Sequence, residues 1–163
     1  MSVNPVMKQL GCSDDDRVVI VHCDDVGMCH ATIPAFKDLL EFGIVSSGAT
    51  MVPCPWFPQV AAYCRDHPQA DMGVHLTLNS EWDAYRWAPV SDVDATSGLI
   101  DTSGYFHRRS ESVHEQGESS AVKTELQTQI DRALFAGIDV THVDAHMFTL
   151  LHSKFVPIYV RLA

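Results

Sequence analysis

The order of apolar runs and amphipathic stretches predicts strands that alternate with helices. Short apolar runs bounded by polar or turn residues are typical of strands buried in a parallel sheet. Four such runs are found, at residues 17–22, 47–52, 70–78 and 139–144. Apolar residues at helical spacing occupy 31–42, 58–67 and 122–134, and a further helix is expected to begin after residue 153. This alternation predicts an α/β fold with a parallel sheet and right-handed connections.

Two segments do not follow this pattern. Residues 1–16 are predicted to be a flexible lead-in to a single α/β domain over residues 17–163. Residues 79–120 are predicted to form a long irregular loop region, because connections of this length in a compact domain are usually functional or disordered. Four strands are too few for an eight-stranded barrel. We therefore expect either a small open α/β domain or the front part of a longer protein.

Composition and charge exclude some classes of protein. The chain is 46% hydrophobic and 20% charged, which indicates a globular protein. Its net charge of −10 disfavours a nucleic-acid binder, which needs a basic face. The five cysteines form no C-x-x-C pair and are typical of reduced thiols in the cytosol. No signal peptide or membrane span is recognisable, so we expect a cytoplasmic protein with no membrane or nucleic-acid partner.

Residues with metal-binding and acid–base chemistry follow three of the predicted strands. The first strand runs into Asp24 and Asp25, the third contains His75 near its end, and the fourth ends at Asp144 and His146. The carboxyl ends of parallel strands meet at one edge of the sheet, where active sites collect. One carboxylate and two imidazoles would leave positions open for water or substrate, as a catalytic divalent metal requires.

The adjacent aspartates allow a division of roles. Neighbouring residues at a strand end point to different sides, so one aspartate could bind the ion while the other accepts a proton from a bound water. Each feature alone has a simpler explanation. Aspartates before a glycine often cap turns and helices, and a single strand histidine is often a core residue. The coincidence of three strand ends favours the metal site.

Four segments resemble, in this order, the YdjC-like carbohydrate deacetylases, the chitooligosaccharide deacetylase family. They are Val-His-Cys-Asp-Asp-Val-Gly (21–27), Phe-Gly-Ile-Val-Ser-Ser-Gly-Ala-Thr-Met-Val (42–52), Gly-Val-His-Leu-Thr-Leu (73–78) and Thr-His-Val-Asp-Ala-His (141–146). Residues 97–106 are similar to that family's connecting region, and the resemblance covers about residues 17–157.

The resemblance implies a (β/α) barrel of the polysaccharide-deacetylase type, incomplete in this chain, that removes an N-acetyl group from an amino sugar or oligosaccharide. Asp25, His75 and His146 match the family's metal ligands, and Asp24 matches its general base. Asp144 would lie behind the ligands and help to fix His146. The implied cofactor is one divalent ion, and such a donor set fits magnesium as well as zinc.

Two departures from the family bear on function. Met147, Phe148 and Thr149 stand where many members carry further histidines, which suggests a different substrate. Members also carry a later His-Pro-Gly motif with the expected acid, so we expect a truncated barrel whose own activity needs a further segment. A homo-oligomer is one way to cover its open sheet edge.

Substrate contacts and competing functions stay open on the residues alone. Trp82 and Trp87 could stack on sugar rings, although loop aromatics are as often packing anchors. A metallo-phosphoesterase would use the same residue types, with a second metal and more carboxylates. A non-catalytic carbohydrate-binding fragment would keep the aromatics without a metal.

Overall fold

The computed structural model describes residues 5–13 and 15–163 and contains one parallel sheet in the order β1-β2-β3-β4. The strands are β1 (His22–Val26), β2 (Ser47–Thr50), β3 (Met72–Leu76) and β4 (Val140–Ala145). The helices are α1 (Pro5–Gln9), α2 (Thr32–Phe42), α3 (Phe57–Asp66), α4 (Ser110–Gln116), α5 (Ser119–Phe135) and α6 (Val156–Leu162), with 3₁₀ segments at Ala95–Ser97 and His146–Leu151. The α/β class and the parallel sheet are confirmed, whereas closure into a barrel stays a prediction.

Helices pack against one face of the sheet and form the core with it. Met72, Val74 and Leu76 of β3 are fully buried in this core. Gly48 of β2 lets α2 approach closely, because a Cβ atom there would lie 2.7 Å from the ring of Phe36. The strands are therefore fixed on this side by close apolar packing.

The opposite face of the sheet is polar. His22, Ser47, His142 and Asp144 line a cleft of about 550 Å³ on this face. Gly73 makes room for His142, since a Cβ atom at residue 73 would lie 2.5 Å from the imidazole. The polar face continues to the carboxyl ends of β1, β3 and β4, where the candidate residues lie.

The first strand differs from the prediction. The apolar run 18–21 is exposed, with Val19 79% accessible, and β1 begins only at His22. Apart from bonds from Ser46 to the carbonyl of Val21, this run lies outside the sheet ladder. The prediction of a buried strand at 17–22 is therefore wrong. Its β-branched residues indicate extended chain, but β1 is an edge of the sheet and no described strand covers this run.

The predicted loop region, residues 79–120, is irregular but well packed. It contains α4 and one 3₁₀ turn, and its residues Trp87, Leu99 and Phe106 are buried in the core. The buried carboxylate of Glu125 on α5 accepts hydrogen bonds from the backbone of Val90 and Ser91. The region therefore forms part of the core.

The lead-in predicted at 1–16 includes α1, while residues 1–4 and 14 lie outside the described part of the chain. No helix among the described residues is long and apolar enough to cross a bilayer.

Candidate metal centre

Asp25 is set apart from Asp24 by the backbone at the end of β1. Asp25 has a φ of +60°, in the left-handed region, where a residue with a Cβ atom is strained. The pairing of β1 with β2 is irregular between Cys23 and Val26, which is where this residue lies. The kink sends the two neighbouring carboxylates into different groups of side chains.

The first group consists of Asp25, His75 and His146. Asp25 Oδ1 lies 3.0 Å from His146 Nδ1 and 3.3 Å from His75 Nε2. One ligand atom from each of the three residues falls within 4.8 Å of the others, so the group could hold a metal ion. Both imidazoles are buried and meet edge to face, with their centroids 5.2 Å apart.

The donor set fits a divalent cation. Within the described residues, Asp25 Oδ1 is buried and has no hydrogen-bond partner, because neither neighbouring nitrogen approaches it with hydrogen-bond geometry. An unsatisfied buried oxygen costs roughly 1–3 kcal/mol. Ligand atoms about 3 Å apart are what metal–ligand bonds of about 2.0–2.1 Å require at tetrahedral or octahedral angles. The lone pairs therefore converge as they would around a common ion.

Each imidazole is held from behind by a carboxylate. His75 Nδ1 donates to Asp144 Oδ1 at 2.7 Å, and His146 Nε2 donates to Glu81 Oε2 at 3.0 Å. These bonds leave His75 Nε2 and His146 Nδ1 facing Asp25. Such outer carboxylates commonly fix the orientation of metal-binding histidines.

The partner of Asp144 differs from the expectation. Asp144 was predicted to help fix His146, but it contacts His75, because His75 and Asp144 are paired residues in the β3–β4 register. Glu81 takes the expected position at His146 and was missed by the sequence reasoning. Its sequence signal was weak, because Glu81 lies five residues after the end of β3, in the irregular region.

Mutual interaction shifts the titration of this group. Burial opposes ionisation of Asp25, but His146 and then His75 outweigh it and lower its pKa. Burial would lower the pKa of His75, but Asp144 and Asp25 raise it to about 9. The pKa of His146 is raised in the same way by Asp25 and Glu81. The site therefore concentrates carboxylate charge around two buried imidazoles.

The second group consists of His22, Asp24 and Asp144. His22 Nε2 lies 3.2 Å from Asp144 Oδ2 and 3.5 Å from Asp24 Oδ1, and His22 Nδ1 bonds the Ser47 hydroxyl at 2.8 Å. The side chain of Asp24 is 61% exposed. Asp144 also links the second group to the first, since its other oxygen accepts a hydrogen bond from His75. Asp24 thus lies at the accessible edge of the centre.

The two tryptophans predicted to bind sugar have different environments. Trp87 is only 2% exposed, donates from Nε1 to the carbonyl of Asn79 and packs against the ring of His146. A buried ring cannot stack on a sugar, so the structure assigns Trp87 to packing, which corrects the prediction for it. Trp82 is 51% exposed and donates to Glu81 Oε1 at 3.0 Å. Trp82 alone of the pair stays available to a substrate.

The chain is similar in sequence to one protein family and to several carbohydrate deacetylases. The profile of the family described as YdjC-like protein matches residues 18–163. A carbohydrate deacetylase of Thermus thermophilus is 36% identical over 149 residues, which are 90% of this chain and 50% of that protein. A carbohydrate deacetylase of Thermoanaerobacter pseudethanolicus is 26% identical over 147 residues, covering 90% of this chain and 57% of its own length.

A solved structure supports the fold. It belongs to a protein of Enterococcus faecalis named provisionally for cellobiose-phosphate cleavage, with a TM-score of 0.79 and 25% identity over 88% of this chain and 54% of that one. The chain spans about half the length of the curated relatives it matches. With the family profile matched over nearly the whole chain, the protein belongs to the YdjC-like protein family.

Proposed function

We propose that this chain carries the metal-binding half of a carbohydrate deacetylase that hydrolyses the N-acetyl group of an amino sugar. The observation that carries the proposal is the unsatisfied oxygen of Asp25 between His75 Nε2 and His146 Nδ1. The names of the relatives from Thermus and Thermoanaerobacter support the same reaction class. The substrate class is an acetylated amino sugar or oligosaccharide.

Asp25, His75 and His146 would hold the ion. A divalent ion held there would polarise the amide carbonyl as a Lewis acid and would lower the pKa of a bound water to about 7. Asp144 and Glu81 keep the two imidazoles in the orientation that leaves their inner nitrogens free. Magnesium and zinc both remain compatible with one carboxylate and two imidazoles.

Asp24 is the proposed general base. Its carboxylate is accessible, lies next to the ligand Asp25 in sequence and contacts His22. In the reaction, the oxygen of water bonds to the acetyl carbon and its proton passes to Asp24. The C–N bond then breaks, and the amine nitrogen takes up a proton. That last step needs a further acid, for which the family resemblance implies a later His-Pro-Gly motif.

The two alternatives fit the structure less well. A binuclear phosphoesterase needs a second metal. The second group has ligand atoms at suitable separations, but its His22 already bonds Asp144 and the hydroxyl of Ser47. A fragment that only binds carbohydrate has no need of a buried carboxylate oxygen that faces two imidazoles without a hydrogen-bond partner among the described residues. In a hydrolase with one metal ion, the first group would hold the ion and Asp24 of the second group would accept the proton.

Metal stoichiometry and product analysis test the proposal. Elemental analysis of the purified chain is expected to give one divalent ion per chain. Acetate is expected to appear from N-acetylglucosamine oligomers when the protein also includes the segment that supplies the further acid. Asp25→Ala should lose both, while Asp38→Ala, an exposed carboxylate on α2, should lose neither. Phosphate release from sugar phosphates without acetate release would favour the phosphoesterase. Sugar binding by a metal-free chain would favour the binding fragment.

A further inference from the structure

His146 lies between two carboxylates on opposite sides of its ring. Nδ1 lies 3.0 Å from Asp25 Oδ1, and Nε2 lies 3.0 Å from Glu81 Oε2. The two contacts are not equivalent. Glu81 accepts a hydrogen bond from the ring, whereas Asp25 Oδ1 has no hydrogen-bond partner among the described residues. The proton of the neutral ring therefore belongs on Nε2, and the lone pair of Nδ1 points to the centre.

Glu81 is itself held in place. Trp82 Nε1 donates to Glu81 Oε1 at 3.0 Å, which leaves Oε2 for His146. The carboxylate is about three-quarters shielded from solvent, with a side-chain exposure of 27%. A charge in this position forms a stronger hydrogen bond than a neutral acceptor would. The carboxylate of Glu81 thus links the exposed Trp82 to the buried imidazole of His146.

His75 offers a direct comparison, because it presents the opposite nitrogen. It donates from Nδ1 to Asp144 and turns Nε2 inward, whereas His146 donates from Nε2 and turns Nδ1 inward. An imidazole can bind a metal through either nitrogen, so the one that faces inward is decided by the acceptor behind the ring. For His146 that acceptor is Glu81.

We propose that Glu81 is a positioning residue, which fixes His146 with Nε2 protonated so that Nδ1 binds the metal. This inference rests on the proposed function only in its metal site and does not depend on the sugar. Trp82 acts one step further out by holding Glu81. Removing the acceptor leaves His146 free to rotate or to change tautomer, which weakens the site without removing a ligand.

The experiment measures zinc affinity of the whole chain by calorimetry. Glu81→Leu is expected to weaken zinc binding about 10- to 100-fold. Glu81→Gln retains an amide oxygen that can accept from Nε2 and should restore most of the affinity. Asp83→Asn changes an exposed carboxylate two residues away and is the matched control with no expected effect. Trp82→Phe removes only the donor to Glu81 and should cost a few-fold.

A spectroscopic measurement separates positioning from a general loss of structure. In the zinc-loaded wild type, ¹⁵N-edited NMR should show a slowly exchanging Nε2–H proton on His146. In zinc-saturated Glu81→Leu that proton should exchange quickly or disappear, while the Nδ1–H of His75 stays protected by Asp144. Loss of both ring protons together would indicate unfolding of the site and would contradict the inference.

The outcomes distinguish this inference from the proposed function. Zinc binding by the wild type with no change in Glu81→Leu overturns the role of Glu81 and leaves the metal site intact. A wild type that binds no zinc overturns the role of Glu81 together with the metal site. Zinc binding that depends on Glu81, without acetate release by a protein that includes the segment with the further acid, supports the inference and contradicts the deacetylase.

Discussion

Two groups of carboxylate and imidazole lie side by side at the same edge of the sheet, and they differ in how their polar atoms are satisfied. Asp25, His75 and His146 enclose a buried oxygen without a hydrogen-bond partner among the described residues. In the second group, His22 and Asp144 form a hydrogen bond with each other, and the other ring nitrogen of His22 is hydrogen-bonded to the hydroxyl of Ser47. The second group is also more exposed, mainly through Asp24.

The difference shows why residue type alone does not identify a metal centre. Both groups offer ligand atoms at metal-binding separations. In the first, a buried oxygen without a hydrogen-bond partner among the described residues faces two ring nitrogens, so a cation would relieve the cost of burying these atoms. In the second, donors and acceptors are matched and water reaches the edge, so a cation would displace existing hydrogen bonds.

The largest expected loss of metal affinity comes from changing His75, and it tests whether the ion binds to the first group. His75→Ala removes an inner nitrogen and should weaken metal binding by more than the roughly 10- to 100-fold typical of losing an outer partner. Calorimetric titration with zinc, at matched protein concentration, measures this. Normal affinity in His75→Ala would show that the ion binds elsewhere and would break the distinction between the groups.

Asp24→Asn tests the proposed base and should change rate instead of metal binding. Loss of a positioned general base lowers turnover by about 10²- to 10⁴-fold. In a protein that includes the segment with the further acid, acetate release from N-acetylglucosamine oligomers would fall by this factor, while zinc stoichiometry stays at the wild-type value. Equal turnover in the variant and the wild type would remove Asp24 from the mechanism. A parallel loss of zinc would instead make Asp24 a ligand.

Asp144→Asn changes the residue that links the two groups. His75 Nδ1 and His22 Nε2 both donate to this carboxylate, and an amide offers one accepting oxygen in place of two. Zinc affinity should fall about 10- to 100-fold. Asp139→Asn, an exposed carboxylate just before β4, is the control. If both variants bind zinc as the wild type does, the orientation of His75 does not depend on Asp144.

The sequence patterns predicted the α/β class and the parallel sheet, but the predicted position of the first strand was wrong. The runs Val18–Val21 and Met72–Leu76 are both apolar, yet the first is exposed and the second is buried. An apolar, β-branched run indicates β propensity, but whether the run is buried depends on which other elements pack against it. The observed β1, His22–Val26, is mostly polar, because His22, Asp24 and Asp25 belong to the two groups of site residues.

The sequence predicted that Asp25, His75 and His146 lie close together, because the carboxyl ends of parallel strands meet at one edge of the sheet. It could not assign the partner of Asp144, since that follows from the β3–β4 register. Glu81 and Trp87 depend on how the irregular region after β3 packs, and no periodic pattern describes such a region.

The smallest expected effect comes from His22→Ala. This change removes the bonds to Ser47 and to Asp144 Oδ2, but Asp144 keeps its bond to His75 through Oδ1. Zinc affinity should therefore change less than in Asp144→Asn, while the free energy of unfolding should fall by about 0.5–1.5 kcal/mol for each lost hydrogen bond. Zinc titration and urea unfolding measure the two effects separately. If His22→Ala loses as much zinc affinity as Asp144→Asn, the hydrogen bond between Asp144 and His75 depends on His22. The two groups would then act as one centre.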